Sequence, residues 1–254
     1  MSTEEIFIQI ILALIQGATE FLPISSSGHL ALVSSFFSYT NVAFFVMLHL
    51  GSLVAVLFFT RKEIWQLLHF KKEDRKIILF LMLATIPAAV VGLLFNNFIE
   101  SQFSSMLFLG FSFIFTGFIL FFTKFSEENH KINWWRAITI GFGQAIAVFP
   151  GISRSGMTIS TASFLGIEKE KAMKFSFLLF IPIVMGATLL EIKTGQFNFS
   201  AYVLISFFVS IVSSLIFMNL LKKIIKINKF WMFSFYCWLL GLIILASQII
   251  LLFA

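Results

Sequence analysis

Long runs of apolar residues, separated by short polar stretches, dominate the chain. Six of these runs are about 20 residues long, the length of an α-helix that crosses a lipid bilayer. They cover about 41–60, 77–95, 106–123, 175–192, 201–221 and 231–253. A membrane β-barrel would instead have short segments in which apolar and polar residues alternate. The sequence therefore predicts an all-α polytopic membrane protein.

Two further apolar regions, 6–37 and 137–166, are interrupted by polar residues near their centres. The first is broken at Pro23–Gly28 and the second at Pro150–Gly156. Irregular backbone at membrane depth is tolerated only where protein or a watery cavity surrounds it. We therefore expect each region to form a broken, re-entrant helical hairpin that enters and leaves on one side of the membrane.

The two breaks carry related sequences. ISSSG at 24–28 matches ISRSG at 152–156, and the same offset of 128 aligns Gln16 with Gln144 and the first three spans roughly with the last three. One hairpin and three spans cross the membrane an odd number of times, so a second copy must be inverted. Inverted repeats of this kind bring broken helices together near the midplane.

We accordingly predict one membrane domain over 1–254, in which repeat 1 covers about 1–126 and repeat 2 about 127–254. Only 12% of the residues are charged, against roughly 25% in soluble domains, and 59% are hydrophobic. This composition agrees with residence in a membrane. The sequence fits a single chain and an oligomer equally well.

The formal net charge of +6 is distributed unevenly between the two faces that alternating loops define. Sixteen basic residues lie near 61–76, 124–136, 167–174 and 222–230, whereas the opposite face has only Lys193. By the positive-inside rule the basic face is cytoplasmic, and both termini lie outside. The charge thus indicates topology rather than nucleic-acid binding, with contact to lipid headgroups as a minor alternative.

Two opposite charges remain inside the apolar regions, each beside one copy of the repeated motif. They are Glu20, four residues after Gln16, and Arg154 in the second break. Ionisable residues inside a membrane indicate a functional site by default, because their burial is costly. The alternative is a structural ion pair that holds the two halves together.

The residues around these charges suit a phosphate ester or anhydride. Serines favour helix N-caps, where free backbone N–H groups attract anions, and arginine binds phosphate oxygens in pairs. Ser26 and His29 are three residues apart, which allows an activated nucleophile with a neighbouring base. The alternative is that the serines and His29 only cap and pack helices.

We therefore predict two groups of site residues. The catalytic candidates are Glu20, Ser26, His29 and Arg154. The substrate-binding candidates are Gln16, Ser25, Ser27, Ser153, Ser155 and Thr158. Ser26 and a water molecule both remain candidates for the attacking oxygen.

Two stretches carry a resemblance to a known family. QGATEFLPISSSGHL at 16–30 and PGISRSGMT at 150–158 resemble the two motifs of the undecaprenyl-diphosphatase family of bacitracin-resistance proteins. The resemblance implies a membrane phosphatase that removes one phosphate from a polyprenyl diphosphate lipid and recycles the carrier for peptidoglycan synthesis. It also implies a bacterial plasma-membrane location and a divalent cation, Mg²⁺ or Ca²⁺, for which Glu20 is the candidate ligand.

Many members of that family carry glutamate where this chain has Gln16, so a site with two carboxylates is not expected here. A secondary transporter or lipid flippase is the main alternative, because inverted repeats are common in transporters. It would explain Glu20 and Arg154 but gives Ser26 and His29 no purpose. An intramembrane serine protease would use Ser26 and His29 but has little need for Arg154.

Overall fold

The chain folds into helices throughout the part that a computed structural model describes, residues 3–37, 39, 41–69, 72–192 and 201–253. The twelve α-helices of these residues are α1 (Thr3–Phe21), α2 (Ser26–Phe37), α3 (Val42–Phe59), α4 (Arg61–Leu68), α5 (Lys72–Leu94), α6 (Asn96–Gln102), α7 (Met106–Phe122), α8 (Trp134–Ile146), α9 (Arg154–Phe164), α10 (Lys169–Ile192), α11 (Ala201–Lys226) and α12 (Phe233–Phe253). The predicted all-α class is confirmed.

Among the described residues, five helical stretches are long and apolar enough to cross a membrane: Arg75–Leu94, Met106–Phe125, Lys169–Leu189, Ala201–Lys226 and Phe230–Leu251. The remaining predicted span, α3, meets this standard only together with α4. These two helices bend by 70° at their junction. The chain is therefore a multi-pass membrane protein whose short α4 turns away from the direction of α3.

Both predicted breaks are present. α1 ends at Phe21 and α2 begins at Ser26, while α8 ends at Ile146 and α9 begins at Arg154. At the base of the second hairpin, the backbone N–H groups of Asn129 and His130 donate to the Gly166 carbonyl at 2.9 and 2.8 Å. The second hairpin therefore returns to the side from which it starts, as a re-entrant hairpin must.

The loops assigned to the basic face lie together in the structure. Lys174 at the start of α10 contacts Glu63 of α4 at 2.8 Å. Lys169 lies 3.7 Å from Glu128 and donates to Asn228 at 2.7 Å. Four loops separated widely in sequence thus share one side of the molecule, whereas Lys193 lies outside the described residues.

Helices that the offset of 128 relates also pack in related pairs. α1 packs against α11 and α8 against α5, while α7 packs against α12 and α3 against α10. A Cβ atom at Gly110 would meet Leu245, and one at Gly117 would meet Trp238. Positions 110 and 117 correspond to 238 and 245, so these two contacts exchange under the predicted repeat. This pairing is what the predicted repeat requires. The inverted orientation of the second repeat relative to the first stays a prediction.

Candidate active site at the meeting point of two hairpins

The tips of the two hairpins touch through glycine. A Cβ atom on Gly28 would lie 2.9 Å from the Cα of Gly151 and 2.7 Å from the Phe113 ring, so no larger residue fits at position 28 without movement. Gly151 has a φ of +85°, a conformation that L side chains rarely adopt. A Cβ on Gly156 would likewise meet Pro23. The two related motifs are therefore brought into contact.

Serines cap the second helix of each hairpin in the same way. The Ser25 hydroxyl accepts from the Gly28 amide at 3.2 Å, and the Ser153 hydroxyl accepts from the Gly156 amide at 3.1 Å. Ser25 also bonds Ser27 at 3.2 Å, as Ser153 bonds Ser155 at 3.3 Å. Such caps satisfy N–H groups that a helix start leaves unpaired. The capping alternative is thus part of what these serines do.

Glu20, near the end of α1, is the centre of the site. Its Oε1 accepts from Arg154 Nη2 at 2.8 Å. Its Oε2 accepts from the Ser26 hydroxyl at 2.6 Å and from Gln16 Nε2 at 3.0 Å. The Glu20 side chain is buried, and His49 Nε2 lies 3.7 Å from Oε2. Three predicted site residues from both hairpins therefore converge on one carboxylate.

Arg154 occupies the first position of α9, directly after the Ser153 cap. Its Nη1 donates to the Ser176 carbonyl of α10 at 3.2 Å, and its guanidinium lies 4.4 Å from the centre of the Phe180 ring. Thr158 lies one turn further on and bonds the Ser176 hydroxyl at 2.6 Å. Thr158 also donates to the Arg154 carbonyl at 2.9 Å, so it connects the first turn of α9 to α10.

Ser26 and His29 are not hydrogen-bonded to each other in this structure, so the predicted serine–histidine pair is not seen, and the catalytic role of His29 stays a prediction. His29 Nδ1 bonds the Ser25 carbonyl at 2.7 Å, and Nε2 bonds the Tyr236 hydroxyl of α12 at 2.7 Å. Ser25 has a φ of +67°, so the chain turns sharply before α2 begins. The Ser26 hydroxyl consequently reaches Glu20 on α1, while His29 is directed toward α12.

Several polar residues of the site were not among the predicted ones. Ser52 of α3 accepts from Gln16 at 3.4 Å and joins Ser210 and Ser214 of α11 at 3.3 and 3.1 Å. His49, also on α3, approaches Glu20. A histidine in the middle of an apolar span is a signal that could have identified His49. A serine in a membrane helix carries no comparable signal.

The donor set for a divalent cation is small. Among the described residues, no cluster of three His, Cys, Asp or Glu side chains occurs. Glu20 is the one carboxylate in this site, but the Oε1 atom of Gln16 beside it is buried without a hydrogen-bond partner. Magnesium is commonly held by one or two carboxylates, waters and substrate phosphates. Glu20 fits such a site as the carboxylate ligand. Gln16 directs its N–H toward Glu20, so its Oε1 would become a second ligand only after the amide turns over.

Apolar side chains surround these charges. Phe21 lies edge-on to Phe177 and Phe180, with ring centres 5.2 and 5.4 Å apart. Charge-assisted hydrogen bonds are stronger in such surroundings than in water, and an unpaired charge is correspondingly costly. The arrangement can therefore bind an anionic group, place a hydroxyl beside a carboxylate, and stabilise charge that develops during a reaction.

Comparison with known proteins gives consistent matches over nearly the whole chain. The model of the family described as "Bacitracin resistance protein BacA" matches residues 9–243. The undecaprenyl-diphosphatase of Thermosipho africanus is 44% identical, over 92% of this chain and 97% of the relative. That of Methanococcus maripaludis strain C5 is 41% identical over 93% and 98%, and that of Halothermothrix orenii 34% identical over 95% and 97%.

Proposed function

This chain belongs to the family of the bacitracin resistance protein BacA, and from that membership we propose that it is an undecaprenyl-diphosphate phosphatase. It would hydrolyse the lipid diphosphate to the monophosphate and inorganic phosphate within the membrane. The product would return to peptidoglycan synthesis as a lipid carrier, and the activity would confer the bacitracin resistance that the family description names.

One observation carries the proposal. The Ser26 hydroxyl donates to Glu20 at 2.6 Å, and the other oxygen of the same carboxylate accepts from Arg154 at 2.8 Å. A hydroxyl bonded to a carboxylate is an activated nucleophile, and an arginine beside it matches the charge of phosphate oxygens. A structural ion pair alone would need neither the serine nor the serine-capped helix starts on both sides.

The first chemical step is attack by Ser26. Its oxygen forms a bond to the terminal phosphorus while its proton passes to Glu20. The bond from that phosphorus to the bridging oxygen breaks, and the lipid monophosphate leaves with the proton from Glu20. Arg154 pairs with the non-bridging oxygens and stabilises the charge that they carry in the transition state.

The second step regenerates the serine. Glu20 takes a proton from a water molecule, whose oxygen attacks the phosphoserine. The bond between phosphorus and the Ser26 oxygen breaks, inorganic phosphate leaves, and Glu20 returns the proton to Ser26. His29 has no part in either transfer, because both of its ring nitrogens are bonded away from Ser26.

We also propose a divalent cation, Mg²⁺ or Ca²⁺, held by Glu20 and the unpartnered Oε1 of Gln16 together with phosphate oxygens of the substrate. When bound, it would neutralise part of the diphosphate charge. Gln16 would be a neutral ligand of this cation once its amide turns Oε1 toward it, whereas Glu20 would supply the negative charge. The prenyl tail stays in the bilayer against the apolar exterior of the helices, and the diphosphate alone enters the polar site.

The decisive experiment measures phosphate release by purified protein in detergent. With undecaprenyl or farnesyl diphosphate and a divalent ion, wild-type protein should release inorganic phosphate, and Ser26→Ala should not. If the protein moves the diphosphate lipid between the leaflets of a vesicle and releases no phosphate, it is a transporter or flippase and the proposed enzyme activity is wrong. Phosphate release by Ser26→Ala at the wild-type rate would instead assign the attack to water.

A further inference from the structure

Tyr236, on the last helix, contacts His29 of the first hairpin. Its hydroxyl bonds His29 Nε2 at 2.7 Å, and the two rings are nearly parallel, with an interplanar angle of 9°. His29 also packs edge-on against Phe113, with ring centres 5.3 Å apart. The Tyr236 side chain is half exposed, whereas His29 is buried. α12 also contacts the break of the first hairpin through Cys237, whose thiol donates to the Pro23 carbonyl at 3.8 Å. Tyr236 is the residue of α12 that contacts His29.

The hydrogen bonds determine the state of the imidazole ring. A carbonyl oxygen accepts and cannot donate, so the bond to the Ser25 carbonyl requires a proton on Nδ1. In the neutral ring Nε2 then carries the lone pair, and the Tyr236 hydroxyl must be the donor. The two partners together select one tautomer and fix the plane of the ring.

The Ser25 peptide that His29 holds is under backbone strain. Ser25 has a φ of +67°, which is uncommon for a residue with a side chain. Strained residues persist only when surrounding contacts over-determine them, and they occur often at active sites. The Ser25 carbonyl accepts from both the backbone N–H of His29 at 3.2 Å and its Nδ1. Ser26 is the next residue. His29 therefore holds the peptide group that orients the Ser26 hydroxyl.

We propose that Tyr236 is a positioning residue of the phosphatase. Its hydroxyl holds His29, His29 holds the strained Ser25 peptide, and that peptide keeps the Ser26 hydroxyl on Glu20. Tyr236 acts through His29 and does not touch the reacting atoms. This inference rests on the proposed function for its kinetic consequence, but the hydrogen bond itself can be measured independently of activity.

The kinetic test uses Tyr236→Phe, which removes one hydroxyl and keeps the ring. Loss of a neutral hydrogen bond should lower kcat about fivefold and leave KM unchanged, because the serine is aimed less well while binding groups stay in place. Tyr202→Phe removes a hydroxyl from another exposed tyrosine, on α11, and should leave kcat as it is. A change in KM alone, or an equal loss in Tyr202→Phe, would overturn the proposal.

The double variant separates positioning from a general loss of structure. If Tyr236 acts through His29, adding Tyr236→Phe to His29→Gln should cause no further loss of kcat, since contacting residues that act as one unit are non-additive. A further fivefold loss in the double variant would mean that Tyr236 acts on its own, and the proposal would be wrong.

The third measurement is independent of phosphatase activity. In protein labelled with ¹⁵N-histidine, at a pH where the ring is neutral, His29 should carry its proton on Nδ1, with the signals assigned by their absence in His29→Gln. In Tyr236→Phe the Nε2 resonance should move to the position of a nitrogen without a hydrogen-bond donor. The proposal would be wrong, even with normal phosphate release, if the wild-type His29 ring is protonated on Nε2. It would also be wrong if the Nε2 resonance is the same in Tyr236→Phe as in wild type. Absent phosphate release with the expected resonances would instead refute the proposed function alone.

Discussion

Glu20 is the residue on which the chemistry of both hairpins depends. One of its oxygens faces Arg154 from α9, and the other faces Ser26 from α2 and Gln16 from its own helix. Breaking a buried charge pair by removing one partner is typically destabilising by several kcal/mol, because it leaves the other charge uncompensated. Glu20 therefore has a structural role in the resting site as well as a chemical one.

Glu20→Gln should abolish phosphate release although the side chain keeps its shape. An amide cannot accept the serine proton and cannot offset the charge of Arg154. Circular dichroism and gel filtration of the purified variant should establish that it folds before its rate is compared with wild type. Wild-type activity in Glu20→Gln would remove the carboxylate from the chemistry and leave Ser26 without its base.

Gln16→Glu should keep substantial activity and depend more strongly on the divalent ion. Gln16 Nε2 lies 3.0 Å from Glu20 Oε2, so the substitution would bring two carboxylates to hydrogen-bond distance. Two such groups cannot both ionise unless a cation or a shared proton lies between them. A titration of phosphate release against Mg²⁺ or Ca²⁺ should display the steeper dependence. Identical titrations for variant and wild type would contradict a cation at this position.

Arg154→Lys should lower kcat on the order of 100-fold, the typical effect of losing one well-placed electrostatic contact in a transition state. The guanidinium reaches Glu20, the Ser176 carbonyl and the Phe180 face at once, and a lysine ammonium cannot reproduce that planar geometry. Arg61→Lys, on the exposed basic side, is the matched control and should leave phosphate release at the wild-type rate. Near-normal turnover in Arg154→Lys would reduce Arg154 to a general counter-charge.

The charged residues of the site were predictable from the sequence, whereas the contacts that arise from folding were not. Glu20 and Arg154 were predictable because a charge in an apolar region is rare enough to carry information. Ser26 and His29 do not bond each other, because Ser26 donates to Glu20 and His29 bonds Ser25 and Tyr236. Their spacing within α2 could not show which partners other helices would supply, and the catalytic role of His29 stays a prediction. Tyr236 lies 207 residues from His29, so only the tertiary structure brings it to the site.

At the scale of elements, the two hairpins use one scaffold for different chemistry. The serine caps at Ser25 and Ser153 have equivalent hydrogen bonds, and the positions that follow are Ser26 and Arg154. Both of these side chains bond Glu20, whereas the position that corresponds to Glu20 in the second half is Val148. A duplicated fold would thus yield one asymmetric site, because only the first copy supplies the carboxylate.

Long elements were predicted well and short ones were not. The runs at 106–123 and 231–253 correspond to α7 and α12, whose uninterrupted apolar composition leaves no other arrangement in lipid. α4 and α6 were not predicted, because helices of 8 and 7 residues are too short for a periodic pattern to stand out. The hairpin breaks were predictable because proline, glycine and serine interrupt the apolar runs.

Glycine allows α1 to pack closely on α11, three residues before Glu20. A Cβ atom on Gly17 would lie 2.5 Å from the Ser213 Cβ and 2.7 Å from backbone atoms of Ser210 and Ser214. Gly17→Ala should therefore lower the free energy of unfolding by about 1–3 kcal/mol, as overpacking does. Gly186→Ala is the control, because nothing lies within 4 Å of its added Cβ. Thermal melts in detergent should separate the two, and equal melting temperatures would contradict this account of the helix contact.

At the scale of the whole molecule, the contacts among the basic loops define one face. Glu63, Glu128 and Asn228 each contact a lysine at the start of α10. The short loop 103–105 lies at the start of α7, and the basic loop near 124–136 follows the other end of that helix. Since cytoplasmic loops carry the excess of lysine and arginine, the first hairpin should open to the outer face. The diphosphate would then be taken from the outer leaflet.

Cysteine accessibility tests this orientation directly. Ser101 on α6 and Glu127 in the loop after α7 are exposed and are separated by one span, α7, of 17 residues or about 25 Å. In intact cells, Ser101→Cys should react with an impermeant maleimide, and Glu127→Cys should react only after the membrane is opened. A cysteine at Ser2, outside the described residues, should behave like Ser101→Cys. The only native cysteine, Cys237, is fully buried, so wild-type protein provides the unlabelled control. Labelling of Glu127→Cys but not Ser101→Cys would reverse the orientation and turn the first hairpin toward the cytoplasm, and the same site would then have to draw its lipid diphosphate from the inner leaflet.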